Sequence, residues 1–219
     1  MFLEFFSRAV ATFIFFMISP VFLFIMFCCL LVQGSPIFFV QERIGFNFKT
    51  FKIYKFRTMV NNSGGLITLP NDSRITFMGK ILRLSKLDEV PQLINIIKGD
   101  MRFIGPRPEV KFYLAKYDFS FLKLVKPGIS DFSSIILRNE SMILEKIGGH
   151  NPYDKLLPIK LELANYYSKN KSFLLDLKLV IITSISLFFP NFAITKLAVP
   201  LMKLKSDKTK EFLYKYNMI

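Results

Sequence analysis

The chain has 219 residues, 52% of them hydrophobic, with 26 Phe and with 30 Lys plus Arg against 16 Asp plus Glu for a net charge of +14. That length holds one domain of ordinary size. A polytopic bundle would spread its apolar runs along the chain, and a soluble nucleic-acid binder would lack one dominant apolar block, so the balance points to a basic domain at a membrane.

From Ala9 to Val32 no residue is charged and nearly every side chain is apolar. A helix over such a stretch is long enough for a bilayer core of about 30 Å. A signal peptide fits poorly, because Arg8 is offset by Glu4, the apolar stretch is too long and no small-x-small cleavage site precedes Gln33. Ser19-Pro20 interrupts the stretch near its centre. Pro20 has no N–H for the Phe16 carbonyl, and the Ser19 hydroxyl is the nearest substitute partner. The residues alone allow a kinked spanning helix or a re-entrant hairpin with both ends on one face. Arg43, Lys49, Lys52, Lys55 and Arg57 follow, opposed by Glu42, which places that side in the cytoplasm. Cys28 and Cys29 are adjacent, cannot form a normal disulfide and read as apolar filler. The lone His150 reads as a loop residue.

Ile37–Met59 has the pattern of a β-hairpin, with turn chemistry at Gly45-Phe46-Asn47. On its return strand, alternation puts Phe51, Ile53, Lys55 and Arg57 on one face, so Lys55 and Arg57 are presented together, as a ligand contact or as a solvated basic edge. Asn61 to Asp72 reads as a polar loop. Leu93, Ile94, Ile96 and Ile97 with Gly99 beyond them predict a helix and its stop, with Asp88 as N-cap and Pro91 where no N–H is needed. Asp88 and Glu89 then sit at a helix N-terminus, where the macrodipole favours their ionised forms, and an ordinary acidic cap would explain them as well. The string Gly99 to Glu109 excludes regular structure, and Pro106 and Pro108 hold Arg107 at a fixed place. Such an Arg suits a phosphate or carboxylate ligand, or pairs structurally with Glu109 or Asp100.

Gly34-Ser-Pro36 through Gln41-Glu-Arg43-Ile-Gly45, Lys55-Phe-Arg57-Thr-Met59, Asp72-Ser-Arg74-Ile-Thr76, Leu82-Arg83 through Asp88-Glu-Val-Pro-Gln-Leu, and Gly99-Asp-Met to Gly105-Pro-Arg-Pro occur in that order. Together they closely resemble the bacterial sugar transferases, the monotopic phosphoglycosyl transferases that start lipid-linked glycan assembly. The resemblance runs from the apolar segment to about Gly128. It implies transfer of a sugar 1-phosphate from a UDP-sugar to undecaprenyl phosphate with release of UMP, Asp88 acting as nucleophile through a phospho-sugar aspartyl ester. It further implies Mg²⁺ held by Asp88 and Glu89, with Glu89 metal-linked rather than nucleophilic, and Lys55, Arg57, Arg83 and Arg107 as phosphate clamps. Carboxylates serve as phosphoryl-accepting nucleophiles, and a cation relieves the repulsion between anions. In the family a Ser-Pro pair breaks the membrane helix, so Ser19 and Pro20 mark a re-entrant hairpin.

The expected fold is therefore α+β and mainly helical, with a re-entrant helix-break-helix, a small β-hairpin and membrane-surface amphipathic helices. Its divisions are a membrane hairpin over 1–33, a cytoplasmic transferase domain over 34–195 and a basic tail over 196–219. The implied seat is the cytoplasmic face of the bacterial plasma membrane, with membrane lipid as a contact, later glycosyltransferases as possible partners and no nucleic acid. Two departures stand out. After Lys126-Pro127-Gly128 the chain reads Ile129-Ser130-Asp131-Phe132-Ser133-Ser134 where many family members have Thr-Gly-x-x-Gln-x-x-Gly-Arg, so donor identity does not carry over if that stretch contacts nucleotide or sugar, and Met101-Arg102 replaces the more usual Met-Ser. Leu174 to Phe189 contains Asp176 and Lys178 and reads as an interfacial or core helix. Lys196, Lys203, Lys205, Lys208, Lys210 and Lys215 form either a solvated tail or a contact to anionic lipid. A nucleic-acid binder would leave the apolar segment and the paired carboxylates unexplained. A catalytically dead scaffold is disfavoured by the intact Asp88-Glu89 and Arg107, and a conventional metal-dependent glycosyltransferase by the lack of any Asp-x-Asp pair.

Overall fold

The computed structural model describes residues 2–60, 68–70, 72–202 and 207–216. It is mostly helical, with two small two-stranded sheets among the described residues. Helix α1, Phe2–Gln33, takes up the whole apolar segment in 32 residues with Pro20 inside it. The helix-break-helix expected at Ser19-Pro20 is not what this segment forms, because the helix runs through the proline. The Ser19 hydroxyl donates to the Phe16 carbonyl at 2.7 Å, the carbonyl that Pro20 leaves without its usual partner.

At about 48 Å long, α1 lies along the rest of the protein and is tied to it at both ends. Near its start, Glu4 pairs with Lys126 at 3.0 Å and Arg8 Nε donates to the Ile97 carbonyl at 2.8 Å. At its end, Gln33 Nε2 donates to the Arg57 carbonyl at 2.9 Å and its Oε1 accepts from the Thr76 hydroxyl at 2.8 Å. Between these ties, Ala11 packs with Ile53, Leu93, Ile96 and Met101, and Phe22, Ile25 and Cys29 pack with Phe56 and Leu82. The opposite face leaves Phe13, Phe16, Met17, Phe24, Phe27 and Leu31 exposed.

The hairpin forms as expected, with β1 at Phe38–Ile44 and β2 at Thr50–Phe56, antiparallel and with Phe38 opposite Phe56. Phe22, Phe38 and Phe56 meet with ring centroids 5.1 to 6.0 Å apart, joining the hairpin to α1. The polar loop expected over Asn61 to Asp72 lies largely outside the described residues. Helix α2, Phe77–Ser85, is capped by Thr76 and ends at Lys86, whose φ of 59° is left-handed. A 3₁₀ helix over Leu87–Gln92 then leads directly into α3, Leu93–Lys98, which stops at Gly99 with φ of 88°. Asp88 is thus not the expected N-cap but lies in the first turn. Pro91, without an N–H, cannot continue an i−4 ladder, and the run is wound as 3₁₀. Asn95, fully buried, donates from Nδ2 to the Lys52 carbonyl at 2.7 Å and accepts from the Tyr54 N–H at 3.2 Å. Its side chain stands in for a third strand and fixes α3 against β2.

The Gly99–Glu109 string, expected to exclude regular structure, contains some: Arg102–Ile104 forms β3 and pairs in parallel with β4, Gly128–Ser130. The apolar Met101 and Ile104 supply buried anchors that the glycines and prolines around them obscure. The two backbones touch just beyond this pair. A Cβ on Gly128 would stand 2.2 Å from the Gly105 nitrogen, and one on Gly105 would stand 2.4 Å from the Lys126 carbonyl oxygen.

The remaining helices are α4 at Phe132–Ile136, α5 at Glu140–Ile147, α6 at Pro152–Asn170 and α7 at Phe173–Phe188. A further helical run follows, with α8 at Pro190–Phe192, a π-helical stretch at Ala193–Ala198 and α9 at Val199–Leu201, and then α10 at Asp207–Lys215. Phe132, Ile135, Leu156, Leu157, Leu163, Tyr167 and Leu179 form one core with Ala198, Met202 and Leu213. The expected boundary between 195 and 196 therefore falls inside the π-helical stretch, and α10 packs on the body through Leu213 rather than forming a separate tail. Lys203 and Lys205 lie outside the described residues, as does the side chain of Lys208. Helix α7 buries Leu179, Ile182 and Ser186 and exposes Phe173, Leu174, Val180, Ile181, Leu187 and Phe188, so it is both a core helix and an apolar surface. Gly128→Ala is expected to lower stability by about 2 kcal/mol or more, because the added methyl meets backbone that cannot step aside. A drop of several degrees in the melting temperature of the detergent-solubilised protein would register it.

Candidate active site

Glu89 is the centre of a clamp built from three separate segments. Lys55 Nζ, from β2, reaches Glu89 Oε1 at 2.7 Å, and Arg107 Nη2, from between Pro106 and Pro108, reaches the same oxygen at 2.6 Å. Arg107 Nη1 lies 3.5 Å from Oε2. Asp88 is the neighbouring residue, and its carboxylate makes no hydrogen bond or ion pair among the described residues. One carboxylate is thus held and the other is uncommitted.

Their electrostatics differ in the same sense. Burial would raise Glu89, but Arg107 and Lys55 beside it hold its carboxyl well below the usual range. The clamp is therefore fully formed above the ordinary glutamate value of 4.5 and is lost only as pH falls through the depressed one. Burial raises the Asp88 carboxyl and the Glu89 charge raises it further, against the pull of Lys55, Lys86 and Arg107. The helix N-terminus expected to favour both ionised forms is outweighed at Asp88 by burial and the Glu89 charge, and at Glu89 the lowering comes from Arg107 and Lys55. Burial pushes the Lys55 ammonium below its ordinary value while Glu89 opposes that shift. Lys55 and Arg107 keep further N–H groups beyond those given to Glu89, so each can still reach phosphate oxygens.

The other two expected clamps lie differently. Arg83, in the last turn of α2, donates from Nε to the Thr58 hydroxyl at 2.8 Å and feels the charges of Asp88 and Asp72. Arg57 is not brought to the carboxylates as strand alternation implied. Strand β2 ends at Phe56, and Arg57 Nη2 turns to the carbonyls of Gln33 and Gly34, the latter at 2.9 Å. The carbonyl of Gln33, the last residue of α1, has no intrahelical donor, and the guanidinium satisfies it together with that of Gly34 just beyond. Ser19 and Pro20 lie within α1, away from this constellation.

Mg²⁺ fits the residues present in one restricted way. Among the described residues no three His, Cys, Asp or Glu side chains converge as a ligand set. Both Asp88 oxygens and Glu89 Oε2 remain as donors, which suits a cation that takes one or two carboxylates and completes its shell with water and substrate phosphate.

Arg107 is backed by a buried polar network. Glu109 follows it and takes Lys160 Nζ at 2.9 Å and the Tyr153 hydroxyl at 2.6 Å, with Arg43 Nη1 at 3.8 Å. The Arg107 pairing with Glu109 or Asp100 considered from the sequence is not formed, because Lys160 occupies Glu109 and Arg107 goes to Glu89. The divergent Ser130–Ser134 segment is turned inward. Asp131 caps α4 in a capping box with Ser134, and Asp131 and Ser133 line a cavity of about 10 Å³ with Glu109 and Lys160.

The family model described as bacterial sugar transferase matches residues 1–190. The chain belongs to the bacterial sugar transferase family. It is 38% identical over 183 residues to the uncharacterized sugar transferase EpsL of Bacillus subtilis, covering 81% of this chain and 83% of that one. It is 35% identical over 158 residues to the UDP-N-acetylgalactosamine-undecaprenyl-phosphate N-acetylgalactosaminephosphotransferase of Aeromonas hydrophila, covering 68% of this chain and 35% of that protein. It is also 35% identical over 182 residues to the UDP-glucose:undecaprenyl-phosphate glucose-1-phosphate transferase of Escherichia coli, covering 79% of this chain and 37% of that protein. The chain thus spans about a third of the length of these two named transferases.

Within this sugar transferase three residues near the carboxylates escaped the sequence reading. Lys86 holds a left-handed backbone immediately before the 3₁₀ turn and lies in the field of Asp88 and Glu89. Such strain in a non-glycine residue clusters at functional sites. Gln92, one turn after Asp88, is buried and its Nε2 has no partner. Arg138 adds its charge at Lys86. The unusual φ and the orphaned donor have no sequence signal, and only the Arg138-Asn139 pair after the divergent segment could have drawn notice.

Glu89→Gln is expected to move the Asp88 titration to lower pH, since it removes the adjacent negative charge and leaves Lys55 and Arg107 acting on Asp88. Carboxyl-carbon NMR of Asp88 in both proteins reads the shift, and an unmoved titration would contradict the coupling. Lys160→Met should cost about 3 kcal/mol or more by leaving Glu109 charged and buried, with Glu109→Gln added to it recovering part of the loss. Denaturant unfolding of the single and double variants checks both values.

Proposed function

We propose that this bacterial sugar transferase moves a sugar 1-phosphate from a UDP-sugar to undecaprenyl phosphate and so starts assembly of a lipid-linked glycan. The observation that carries the reading is the contrast within Asp88-Glu89: Glu89 is held by Lys55 and Arg107, while Asp88 beside it is uncommitted. An Asp88 oxygen attacks the phosphorus that bears the sugar. The bond from that phosphorus to the bridging oxygen breaks, and UMP leaves with the electron pair. An oxygen of the acceptor phosphate then attacks the same phosphorus, the acyl phosphate bond breaks, and Asp88 is released as carboxylate. Neither step needs a base, because both nucleophiles are already anionic.

Positioning and charge stabilisation are the main demands of phosphoryl transfer. Lys55 and Arg107 provide them from two sides, anchored by Glu89, with Arg83 behind Asp88. Mg²⁺, bound through Asp88 and Glu89 Oε2, would neutralise charge on the diphosphate. Arg57 serves the same site indirectly by fixing the end of α1 next to the segment that follows Lys55. Raised by burial and by Glu89, the Asp88 carboxyl ionises later than an ordinary one, so turnover is expected to fall as pH is lowered through that raised value.

The membrane seat follows from α1. With Glu4 and Arg8 tied to the body at one end and Gln33 at the other, we read α1 as entering the membrane by its exposed face, both ends remaining on the cytoplasmic side. The exposed face of α7 joins it at the interface. This monotopic placement, with an unbroken α1 lying along the membrane surface, keeps the carboxylates at the depth of a lipid phosphate. Membrane lipid, the UDP-sugar and undecaprenyl phosphate are then the contacts, later glycosyltransferases take the product, and nucleic acid has no role.

The test is UMP release by the detergent-solubilised protein from a panel of UDP-sugars, with undecaprenyl phosphate and Mg²⁺. Release should depend on one donor, on the acceptor and on the cation. Asp88→Asn should lose at least about a thousandfold in turnover, as for removal of a covalent nucleophile, while remaining membrane-associated. Substantial turnover by Asp88→Asn would remove the nucleophile assignment.

A further inference from the structure

A second basic site lies at the start of α1, in a cavity of about 30 Å³ lined by Glu4, Ser7, Arg8, Gly99, Arg102 and Lys126. Arg102 is where this chain departs from the Met-Ser it otherwise resembles, and the transferase reading gives it no task. Lys126 pairs with Glu4 at 3.0 Å, and Arg102 Nη2 lies 3.9 Å from Asp176 Oδ2. Asp176 Oδ1 already accepts from the Tyr167 hydroxyl at 2.6 Å. The Arg8 side chain lies over Gly99, and Lys171 sits in the field of Arg102, Asp176, Glu4 and Lys126. Four cations thus share two carboxylates, one of them already engaged by a hydroxyl. Burial and the charge of Arg102 hold the Lys171 ammonium below its ordinary value, as expected where an anion would be welcome.

The surroundings narrow the ligand. Phe5 and Phe6 lie on the same first turns of α1 as Glu4 and Ser7, Phe173 and Leu174 start α7 next to Lys171, and all four are exposed. The cavity has room for about one or two oxygen-sized groups, which suits the head of an amphiphile whose tail leaves over these side chains. It lies at the opposite end of the Leu87–Lys98 helical run from Asp88, about 17 Å along the axis, and so is separate from the carboxylate pair.

We propose that this cavity binds the phosphodiester of an anionic glycerophospholipid, with Arg102 and Lys126 as donors and the acyl chains leaving over the exposed apolar surface of the first turns of α1 and α7. The site uses the membrane seat of the protein and none of the transferase chemistry. An Arg fork is matched to phosphate oxygens, and a neighbouring ammonium adds a point charge.

The protein would be reconstituted in nanodiscs of phosphatidylcholine with or without phosphatidylglycerol, released, and its retained lipid measured by native mass spectrometry. One phosphatidylglycerol per chain is expected, with no matching phosphatidylcholine. Arg102→Ala with Lys126→Ala should reduce retention about tenfold or more, Arg102→Lys should keep most of it, and Lys146→Ala on α5 should keep all of it. Equal loss in Lys146→Ala would mean that net charge alone draws the lipid and would overturn the site. So would unchanged retention in the double variant, or displacement of the lipid by inorganic phosphate at comparable concentration. UMP release measured in parallel keeps a failed transferase reading apart from a failed lipid site.

Discussion

The two cations on one Glu89 oxygen are the interaction from which the rest of the site takes its geometry. Lys55 comes from the hairpin, Glu89 from the 3₁₀ turn and Arg107 from the loop after β3, so one carboxylate joins three segments distant in sequence. Removing such charges from water is expensive, and a partly buried pair rarely repays that by attraction alone. Its value here is positional: with Glu89 engaged, the helical turn has one orientation, and Asp88 is left as the open carboxylate. Asn95 supports the same registry about two turns later by taking the Lys52 carbonyl and the Tyr54 N–H of β2. The Glu109–Lys160–Tyr153 network holds the far end of the Pro106–Pro108 loop, so Arg107 is fixed from behind as well as in front.

Helix α1 belongs to this framework as much as to the membrane. Its inner face completes two of the three apolar clusters, and Arg57 closes its end. The same helix leaves a broad apolar face outward. The charges at its start and the carboxylates beyond its middle therefore keep a fixed relation to that apolar face.

What the sequence makes legible is local. The hairpin is visible in its alternation and turn residues, the Gly99 stop in its glycine, the repair of the Phe16 carbonyl in Ser19-Pro20, and the carboxylate pair in its motif. What escapes it depends on contacts between distant residues. Arg57 lies two residues from Lys55, yet it serves orphan carbonyls of a helix that ended more than twenty residues earlier. Arg107 could be seen as a ligand-binding Arg but not as Glu89's partner. The pairing of Arg102–Ile104 with Gly128–Ser130 depends on a parallel contact across a long connection, and no hairpin turn announces it. Lys86 and Gln92 are unremarkable letters whose interest lies in a left-handed φ and an unpaired amide.

The docking of α1 also bears on how the protein can be handled. A membrane anchor joined by a linker can be cut away to leave a water-soluble catalytic fragment. Here Ala11, Phe22, Ile25 and Cys29 are interior residues of the body, and excising the first 33 residues would strip one wall from the clusters around Ile53, Phe56, Leu93 and Ile96. Truncation would exchange a membrane face for an open hydrophobic core. Solubility is better sought by replacing outward residues such as Phe13, Phe24 and Leu31 with polar ones, since they are exposed and belong to none of the buried clusters.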